Sequence, residues 1–221
     1  MIGLFYYLVV CFFSLDGVYG PTCLDFPMLD GKGDTRLDVA LLDLGASSTV
    51  SYGMTDNLFV QAEAFYKNDG VSSRYYGQVA SGWYSNYDNR IVELFGGVNY
   101  GYGNCSRIDI EKYGNYATCF LQGNYGWKGL ANSHIDVALG TKLGYTSSSL
   151  SVYDPIYNKT YERYFQGLLF EPAVNFRFGW EKLKFNLKIG QVFGKASFLT
   201  ISDHPRFELS LNYHFKSGNR E

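Results

Sequence analysis

Three histidines are the side chains of this chain best suited to proton transfer. His204 follows Asp203 directly in a long connection, His134 lies in a short turn, and His214 lies near the end of the last strand-like segment. General acid–base catalysis needs a histidine within hydrogen-bond reach of a nucleophile or a carboxylate, and adjacency in sequence hardly constrains that geometry. Metal-binding spacings such as His-Glu-x-x-His and Cys-x-x-Cys are absent. The sequence therefore predicts no catalytic residue, no metal site and no cofactor, and a membrane-embedded hydrolase is the third hypothesis.

Charged side chains at alternate positions of strand-like segments form a second candidate site. We expect the interior of a barrel to receive Asp38, Glu63, Glu93, Asp136, Lys142, Glu171, Arg177, Lys182, Lys184, Lys188, Arg206 and Glu208. Charges in a low-dielectric interior must pair or be hydrated. The expected pairs are Asp38 with Arg206, and Glu171 or Glu208 with the lysine row 182–188. Two interpretations stay open, an ion-paired filling of a narrow barrel and a small pore with a slightly cationic wall.

Three C-terminal runs contain the elements that must position these charges. In 168–180, 182–190 and 206–215 one register is aromatic or aliphatic, and the other is rich in charged and amide residues. Side chains of a strand point to opposite faces at period two, so each run predicts a strand with one apolar and one polar face. Similar segments predict seven earlier strands, over 36–42, 47–54, 58–66, 76–85, 91–102, 117–127 and 135–146.

The connections between these segments alternate in length. Short turns rich in Asn, Asp and Gly follow the second, fourth, sixth and eighth segments, whereas 67–75, 103–116, 147–166 and 191–205 are long. Tight periplasmic turns and longer extracellular loops are typical of an outer-membrane barrel. The fold class predicted is therefore an all-β, antiparallel transmembrane barrel of about ten strands.

A soluble lipocalin-like barrel or β-sandwich also alternates, but with its apolar register inward. Aromatic residues at the strand ends and small polar residues on the opposite face favour the inverted arrangement, in which lipid contacts the apolar face. The composition agrees, because the 221 residues include 20 Tyr, 17 Phe and 25 Gly. A net charge of −2 gives no basic surface for nucleic acid.

The N-terminus reads as an export signal. Residues 1–20 contain an uncharged apolar run followed by small residues suited to cleavage, and a membrane anchor helix would need about 20 apolar residues. Residues 21–34 lack any period and are interpreted as a leader that approaches the barrel from the periplasm. The predicted organisation is a signal peptide 1–20, a periplasmic leader 21–34, a barrel 35–215 and a tail 216–221.

The cysteines are consistent with an oxidising compartment. Cys105 and Cys119 lie near the two ends of the predicted loop 103–116, where a hairpin would bring them together as a disulfide. The alternative is two unpaired thiols. Cys23 is a candidate for lipid attachment near the new N-terminus, although the residues before it make a poor lipidation signal.

Short motifs suggest a family. The strand from Phe207 to Phe215 resembles the terminal strand that the barrel-assembly machinery recognises in bacterial outer-membrane proteins. The opening 23–34, the stretch 52–58 and Glu171-Pro172-Ala173 resemble small Bacteroidetes-type outer-membrane barrels. This resemblance implies an exported protein of the outer membrane, with lipid and the assembly machinery as partners, and it implies no catalytic residue.

The predicted outer loops carry most of the remaining tyrosines beside charged residues. They include Tyr75, Tyr76, Tyr153, Tyr157, Tyr161, Tyr164, Arg74, Lys159, Glu162 and Arg163. Tyr and Arg are favoured at binding surfaces, and Tyr is also favoured at the level of lipid headgroups. The function predicted is a structural or surface-binding outer-membrane barrel, with an unknown extracellular ligand, and the alternative is a narrow passive pore.

Overall fold

The computed structural model describes residues 23–42, 45–107, 110–154, 158–194 and 206–215. It contains eleven β-strands and a four-residue helix, in the order β1 Thr35–Leu42, β2 Gly45–Gly53, β3 Leu58–Asn68, β4 Ser72–Tyr87, β5 Arg90–Arg107, β6 Ile110–Gly129, α1 Leu130–Ser133, β7 Ile135–Asp154, β8 Lys159–Gly179, β9 Leu183–Gly190, β10 Phe193–Gly194 and β11 Arg206–Phe215. No helix in this part of the chain is long and apolar enough to cross a membrane. The predicted signal peptide and the tail 216–221 lie outside the described residues.

The strands close into an antiparallel barrel. Each strand from β1 to β8 pairs with the next, β1 also pairs with β11, and β9 pairs with both β11 and β8. The two residues of β10 continue β9 in the same register on β8, beyond an interruption opposite Pro172, which has no N–H to donate. Counting β9 and β10 as one, the barrel has ten strands, and the predicted fold class is confirmed.

Period-two alternation decides which side chains face outward. In β2 the burial pattern is strictly alternating, with Thr49 6% exposed and its neighbour Val50 44% exposed. On the last strand Leu209 is 64% exposed, whereas Glu208 is 1% exposed. The apolar register therefore faces outward and the polar register faces the lumen, which is the reverse of a soluble barrel.

The two rims of the barrel differ. We call the lower rim the end that carries the connections 54–57, 88–89, 130–134 and 180–182, together with the start of β1 and the end of β11. The upper rim is the opposite end. Strands β5 to β8 have 18, 20, 20 and 21 residues, whereas β1, β2 and β9 have 8, 9 and 8, so the wall rises far higher on one side.

Because the wall is high on this side, the strands extend further toward the upper rim than the sequence predicted. The connections 67–75, 103–116 and 147–166 are mostly strand in the structure. The ladder of backbone hydrogen bonds continues regardless of side-chain polarity, whereas a period-two pattern fades where both faces meet water. Residues 159–164 of β8 are exposed on both faces, as this explanation requires.

Residues 23–34 do not lie outside the barrel. Residues 23–29 are buried within the lumen, and the chain then turns at the lower rim into β1. Gly33 adopts a positive φ of 79° at this turn, and the amide of Gly33 donates to the carbonyl of Gly53 at 2.7 Å. The sequence suggested a periplasmic leader here because the segment has no period, and a segment that fills a lumen needs none.

Candidate functional site in the barrel lumen

The structure gathers most of the predicted interior charges in the lumen. Those with buried side chains are Asp38, Glu63, Glu93, Asp136, Lys142, Glu171, Arg177, Lys184, Lys188 and Glu208. Lys182 is instead exposed in the lower-rim turn between β8 and β9, and Arg206 is half-buried at the start of β11. Arg36, which pattern reading did not single out, is buried as well.

Lys188 is the centre of an ion cluster on the wall formed by β9, β11 and β1. Its Nζ lies 2.7 Å from Glu208 Oε1, 3.8 Å from Asp25 Oδ1 and 3.9 Å from Asp38 Oδ2. Asp38 also accepts a hydrogen bond of 2.6 Å from Asn186. Asp38 therefore meets Lys188 rather than Arg206, because β1 pairs with β11 in a register that aligns Asp38 with Asn212.

Two further ion pairs continue this wall. Lys184 Nζ lies 2.7 Å from Asp136 Oδ2, and Lys142 Nζ lies 3.6 Å from Glu171 Oε2. Each pair joins neighbouring or next-but-one strands of the barrel, and all four side chains are buried. Buried charges are tolerated when they are paired in this way, so the wall is built for ion pairing.

The lumen also contains the inner segment, which we define as residues 23–30. Its backbone is bound by side chains of the wall. The amide of Cys23 donates to Glu208 Oε2 at 3.2 Å, and the amide of Met28 donates to Glu93 Oε1 at 2.5 Å. Both carboxylates thus serve as acceptors for backbone N–H groups that would otherwise be buried without a partner.

The carbonyl groups of the inner segment are bound similarly. Asp25 O accepts hydrogen bonds from Gln122 Nε2 at 2.6 Å and Asn124 Nδ2 at 2.9 Å. Phe26 O accepts one from the guanidinium of Arg177, which is 1% exposed. Leu29 O accepts one from Lys128 Nζ at 3.2 Å. Side chains that are far apart in sequence therefore converge on one short stretch of backbone.

An apolar wall faces the other side of the inner segment. Leu24, Phe26, Met28 and Leu29 form one cluster with large residues that point inward from β3 to β6. These inward residues are Phe59, Tyr84, Ile91, Phe95 and Phe120. The aromatic rings of Phe59 and Phe95 lie 5.3 Å apart at 69°, an edge-to-face geometry that aromatic pairs favour.

These inward aromatics were not predicted from the sequence. They occupy the same register as Gln61, Glu63 and Glu93, and the sequence predicted that register to be polar. A signal exists in hindsight, because Phe59 and Phe65 fall in the same register as Glu63 on β3. The lumen is therefore half apolar rather than uniformly polar, and it matches an inner segment that contains both apolar residues and carboxylates.

The base of the inner segment is anchored at the lower rim by charges. Asp30 lies 3.2 Å from Arg36 Nη2 and 2.7 Å from Lys128 Nζ, and Asp34 contacts His214 Nε2 and Arg36. Burial alone would raise the pKa of Asp30, but the charges of Arg36 and Lys128 outweigh it and lower that pKa to about 2. Burial likewise disfavours ionised Asp34, yet its hydrogen bond with His214 and the charge of Arg36 lower its pKa.

The same rim brings together a carboxylate pair and a histidine. Ligand atoms of Asp30, Asp34 and His214 all lie within 4.8 Å of one another. Both carboxylates already have cationic partners in Arg36 and Lys128, which a metal ion would have to displace. The arrangement functions as a salt-bridge network, and we assign no metal to it.

A second apolar layer lies in the lumen above the inner segment. It consists of Phe65, Tyr76, Tyr116, Leu150, Leu169 and Val192, contributed by strands from several sides. Tyr76 donates a hydrogen bond of 2.5 Å from its hydroxyl to Glu63 Oε1, and its ring stacks on Phe65 at 5.3 Å. This layer narrows the barrel toward the upper rim.

The cysteines do not pair as predicted. Cys105 is buried and aligned with Lys112, whereas Cys119 is exposed and aligned with Val98, far along the β5–β6 ladder. Since residues 103–107 of β5 pair with residues 110–114 of β6, the two cysteines lie at different levels of the ladder and do not meet. The thiol of Cys23 is also buried, 3.8 Å from the carbonyl oxygen of Arg206, and lipid attachment at Cys23 stays a prediction.

The remaining predicted residues are dispersed. His134 is exposed beside α1, where its Nδ1 lies 3.1 Å from the carbonyl oxygen of Gly179, and Asp203-His204 falls outside the described residues. Among the outer tyrosines, Tyr76 points into the lumen, Tyr75, Tyr161 and Tyr164 are exposed, and Tyr157 is not described. The structure thus brings together the interior charges but not the histidines.

Comparison with known proteins finds barrels of the outer membrane. No protein-family model and no curated protein sequence matches this chain. Among solved structures, it is similar to the KdgM porin, with 14% identity, a TM-score of 0.37 and coverage of 83% of this chain and 99% of that chain. It is also similar to the Ail protein of Yersinia pestis, with 9% identity, a TM-score of 0.39 and coverage of 83% and 99%. The N-terminal barrel of Pseudomonas aeruginosa OprF shares 8% identity, with a TM-score of 0.36 and coverage of 84% and 99%.

Proposed function

We propose that this protein is an integral β-barrel of the bacterial outer membrane whose lumen is closed by its own inner segment, and which acts as a scaffold for binding at its upper rim. The observation that carries the proposal is that the same barrel has an apolar outer face and a filled lumen. An apolar exterior needs lipid as its solvent, and a filled lumen leaves the surface above the membrane as the place for function.

The exterior supports a membrane location. Large apolar side chains face outward around the barrel, among them Leu41 at 71%, Leu168 at 72% and Leu209 at 64% exposure. Outward-facing aromatic residues occur toward both rims, with Tyr213 and Phe215 4.5 Å apart at the lower rim and Tyr75 and Tyr102 5.4 Å apart toward the upper rim. Rings at these levels suit the interface between lipid and water.

The filled lumen argues against the alternative of a passive pore. The inner segment occupies the lower half, and the layer around Tyr76 and Tyr116 occupies the space above it. A cavity between Asp25, Arg36 and Arg177 measures about 10 Å³, which is room for about one water molecule. A solute would therefore have to displace the inner segment to pass.

The upper rim offers the surface for binding. The β7–β8 hairpin rises above the shorter strands, and residues 159–164 of β8 are exposed on both faces. Tyr161 is 44% exposed and Tyr164 is 74% exposed, beside Lys159, Glu162 and Arg163. Tyrosine and arginine contribute strongly to protein interfaces because they combine apolar area with hydrogen bonding. We propose that this hairpin contacts an extracellular ligand, and that the chain belongs with the small Bacteroidetes-type barrels that it resembles.

We further propose that the protein is not an enzyme. Of the histidines that the structure describes, His214 contacts Asp34 inside the lower rim, and His134 is exposed in a turn. Neither arrangement presents a nucleophile with a base and an oxyanion site. Replacement of His204 and of His214 by alanine should leave any hydrolysis in the purified protein unchanged, and loss of such hydrolysis would favour the hydrolase instead.

The membrane location is tested with one outward position. Leu209→Lys should lower the unfolding free energy in lipid vesicles by about 2–4 kcal/mol, because a charge on the lipid face near mid-membrane is costly. The matched control is Leu209→Ala, which changes the same outward position without adding a charge and should lower the unfolding free energy much less. Equal effects of the two changes, or recovery of folded protein from an aqueous extract without detergent, would contradict the proposal.

The closed lumen is tested in planar lipid bilayers. The wild-type barrel should show no steady conductance, whereas a variant with Phe26→Ala, Met28→Ala and Tyr116→Ala should open, because it removes side chains from both layers that fill the lumen. A matched control, Leu209→Ala, changes an outward side chain and should stay closed. Steady conductance of the wild type, altered by Lys184→Glu, would favour the pore.

A further inference from the structure

The inner segment is held in the way that a peptide ligand is held, and not as a strand of the sheet. Among the described residues, no backbone-to-backbone hydrogen bond joins residues 23–30 to a strand. Its backbone groups are bound instead by wall side chains, including Glu208, Glu93 and Arg177. The ten-strand ladder closes fully without it, since every strand finds its neighbours within the barrel.

One carboxylate of the segment is recognised individually. Asp25 lies within 3.5 Å of Thr49 Oγ1, 3.3 Å of Gln78 Nε2 and 3.8 Å of Lys188 Nζ, and it is 6% exposed. The three partners come from β2, β4 and β9, so opposite sides of the barrel meet at this group. An uncharged or cationic side chain at position 25 would remove one of the three carboxylates that surround Lys188.

Two apolar side chains of the segment have shaped pockets. A methyl group on Gly140 would meet Asn124 Oδ1 first and would approach Phe26 Cε1 to 2.8 Å, and a methyl group on Gly126 would approach Met28 Cε to 2.9 Å. The ring of Phe26 is rigid, so glycine at position 140 leaves it room, whereas the flexible end of Met28 could shift away from a methyl group at position 126. The wall therefore selects side chains at alternate positions of the segment, which is a property of a sequence-selective peptide site.

We propose that the lumen is a binding site for a peptide with the pattern carboxylate, aromatic, proline, thioether at positions 25–28, and that it accepts residues 23–30 supplied by a second molecule when its own segment is weakened. The inference rests on the proposed closure of the lumen by the inner segment. It adds that this segment can leave its site and be replaced by an identical segment of another molecule. Reversible exchange requires no covalent change, only competition between identical segments for one site.

The receptor for the test is the full chain with Phe26→Ala and Met28→Ala, folded in detergent. Its folded state is checked by the shift in gel mobility that barrels show on heating, and Met28→Ala alone is used if the double variant does not fold. The ligand is a fluorescent synthetic peptide with the sequence of residues 23–30, in which serine replaces Cys23. Binding is measured by fluorescence anisotropy, and block of conductance is measured with the peptide added on either side of a bilayer.

We expect saturable binding by the receptor and none by the wild type, whose site is filled. A peptide that carries Asp25→Asn should bind about tenfold more weakly, since it loses a charge-assisted contact, and a scrambled peptide should not bind. Adding Gly140→Ala to the receptor should abolish binding, because the new methyl group would meet both the ring of Phe26 and the side chain of Asn124, which binds the carbonyl of Asp25. The control change Gly123→Ala, in the outward register of β6, should preserve binding, since a methyl group there meets no atom closer than 4.0 Å.

The outcomes separate the two proposals. Saturable and sequence-dependent binding supports the peptide site even if the receptor does not conduct, in which case the upper apolar layer closes the barrel by itself. A receptor that conducts but binds no peptide, or binds the scrambled peptide equally well, overturns the peptide site and leaves the closed barrel standing. Insensitivity to Gly140→Ala also overturns it.

Discussion

The two inner walls of the barrel hold the same segment by different physics. From β3 to β6 the wall is apolar, with Phe59, Tyr84 and Phe95 packed against Phe26 and its neighbours. From β9 through β11 to β1 the wall is ionic and centred on Lys188. Apolar packing is non-directional and tolerates substitution by similar volumes, whereas a buried ion cluster fails when one member is lost. The comparison teaches that the apolar wall recognises the shape of the segment, whereas the ionic wall recognises its charge.

Removing the central cation should have the largest effect. Lys188→Met leaves Asp25, Asp38 and Glu208 in the lumen without their shared partner, so we expect a loss of about 3–5 kcal/mol of unfolding free energy. Urea titration of the barrel in detergent, followed by tryptophan fluorescence, measures it. Adding Glu208→Gln to Lys188→Met should recover part of the loss, because one uncompensated charge is removed. Additive losses in the double variant would contradict a shared cluster.

The apolar wall should be costly to truncate but tolerant of reshaping. Phe95→Ala removes a ring that is 1% exposed, so we expect a loss of about 3 kcal/mol. Phe95→Leu keeps most of the volume and should cost less than about 1.5 kcal/mol. The same urea titration compares both with Lys188→Met. If Phe95→Leu proved as damaging as Lys188→Met, the contrast between the two walls would be lost.

The lower-rim anchor gives the ionic side a pH dependence. The pKa of Asp30 is lowered from 3.8 to about 2, so its ionised form contributes stability above pH 3.8, and this contribution is lost as the pH falls through about 2. Wild type and Asp30→Asn should therefore differ at pH 6 and converge near pH 2. Because the side chain of Asp30 is 42% exposed, salt should reduce the difference. A difference that is constant from pH 6 to pH 2 would exclude this assignment.

A turn outside both walls should show the smallest effect. Asp69 accepts hydrogen bonds from the amides of Val71 at 3.0 Å and Ser72 at 2.7 Å, and pairs with Lys67 at 3.2 Å. These contacts outweigh the effect of burial and hold the pKa of Asp69 far below its usual value. Asp69→Ala should cost about 1 kcal/mol, and Asp69→Asn should cost less because it keeps an acceptor. Neither change should open the lumen in a bilayer recording.

The strands of this protein were predictable because their signal is local. On β11, Phe207, Leu209 and Leu211 alternate with Glu208 and Ser210, and lipid on one side with a lumen on the other requires that alternation. The same signal was weaker on β4 and β6, where glycines and inward aromatics interrupt it, yet both strands formed. Their upper ends were underestimated, since ladder hydrogen bonds extend strands beyond the region that the pattern marks.

The contents of the lumen were not predictable in the same way. The contact of Arg177 with Phe26 joins residues 151 apart in sequence, and that of Asn186 with Asp38 joins residues 148 apart. The register of the closing strands aligned Asp38 with Asn212 and thereby directed it to Lys188 rather than to Arg206. The expected disulfide failed for a related reason, because Cys105 and Cys119 face opposite sides of the sheet.

The amino-acid sequence by itself determined the antiparallel strands, their approximate number and the register that faces outward, since period two is a property of neighbouring residues and their solvent. Only the tertiary structure decided that residues 23–30 fill the barrel and which charges pair there. Those contacts depend on closure of the ladder, which brings the first strand, β1, beside the last, β11. Closure is a global event that creates the interior, so no local pattern can encode what occupies it.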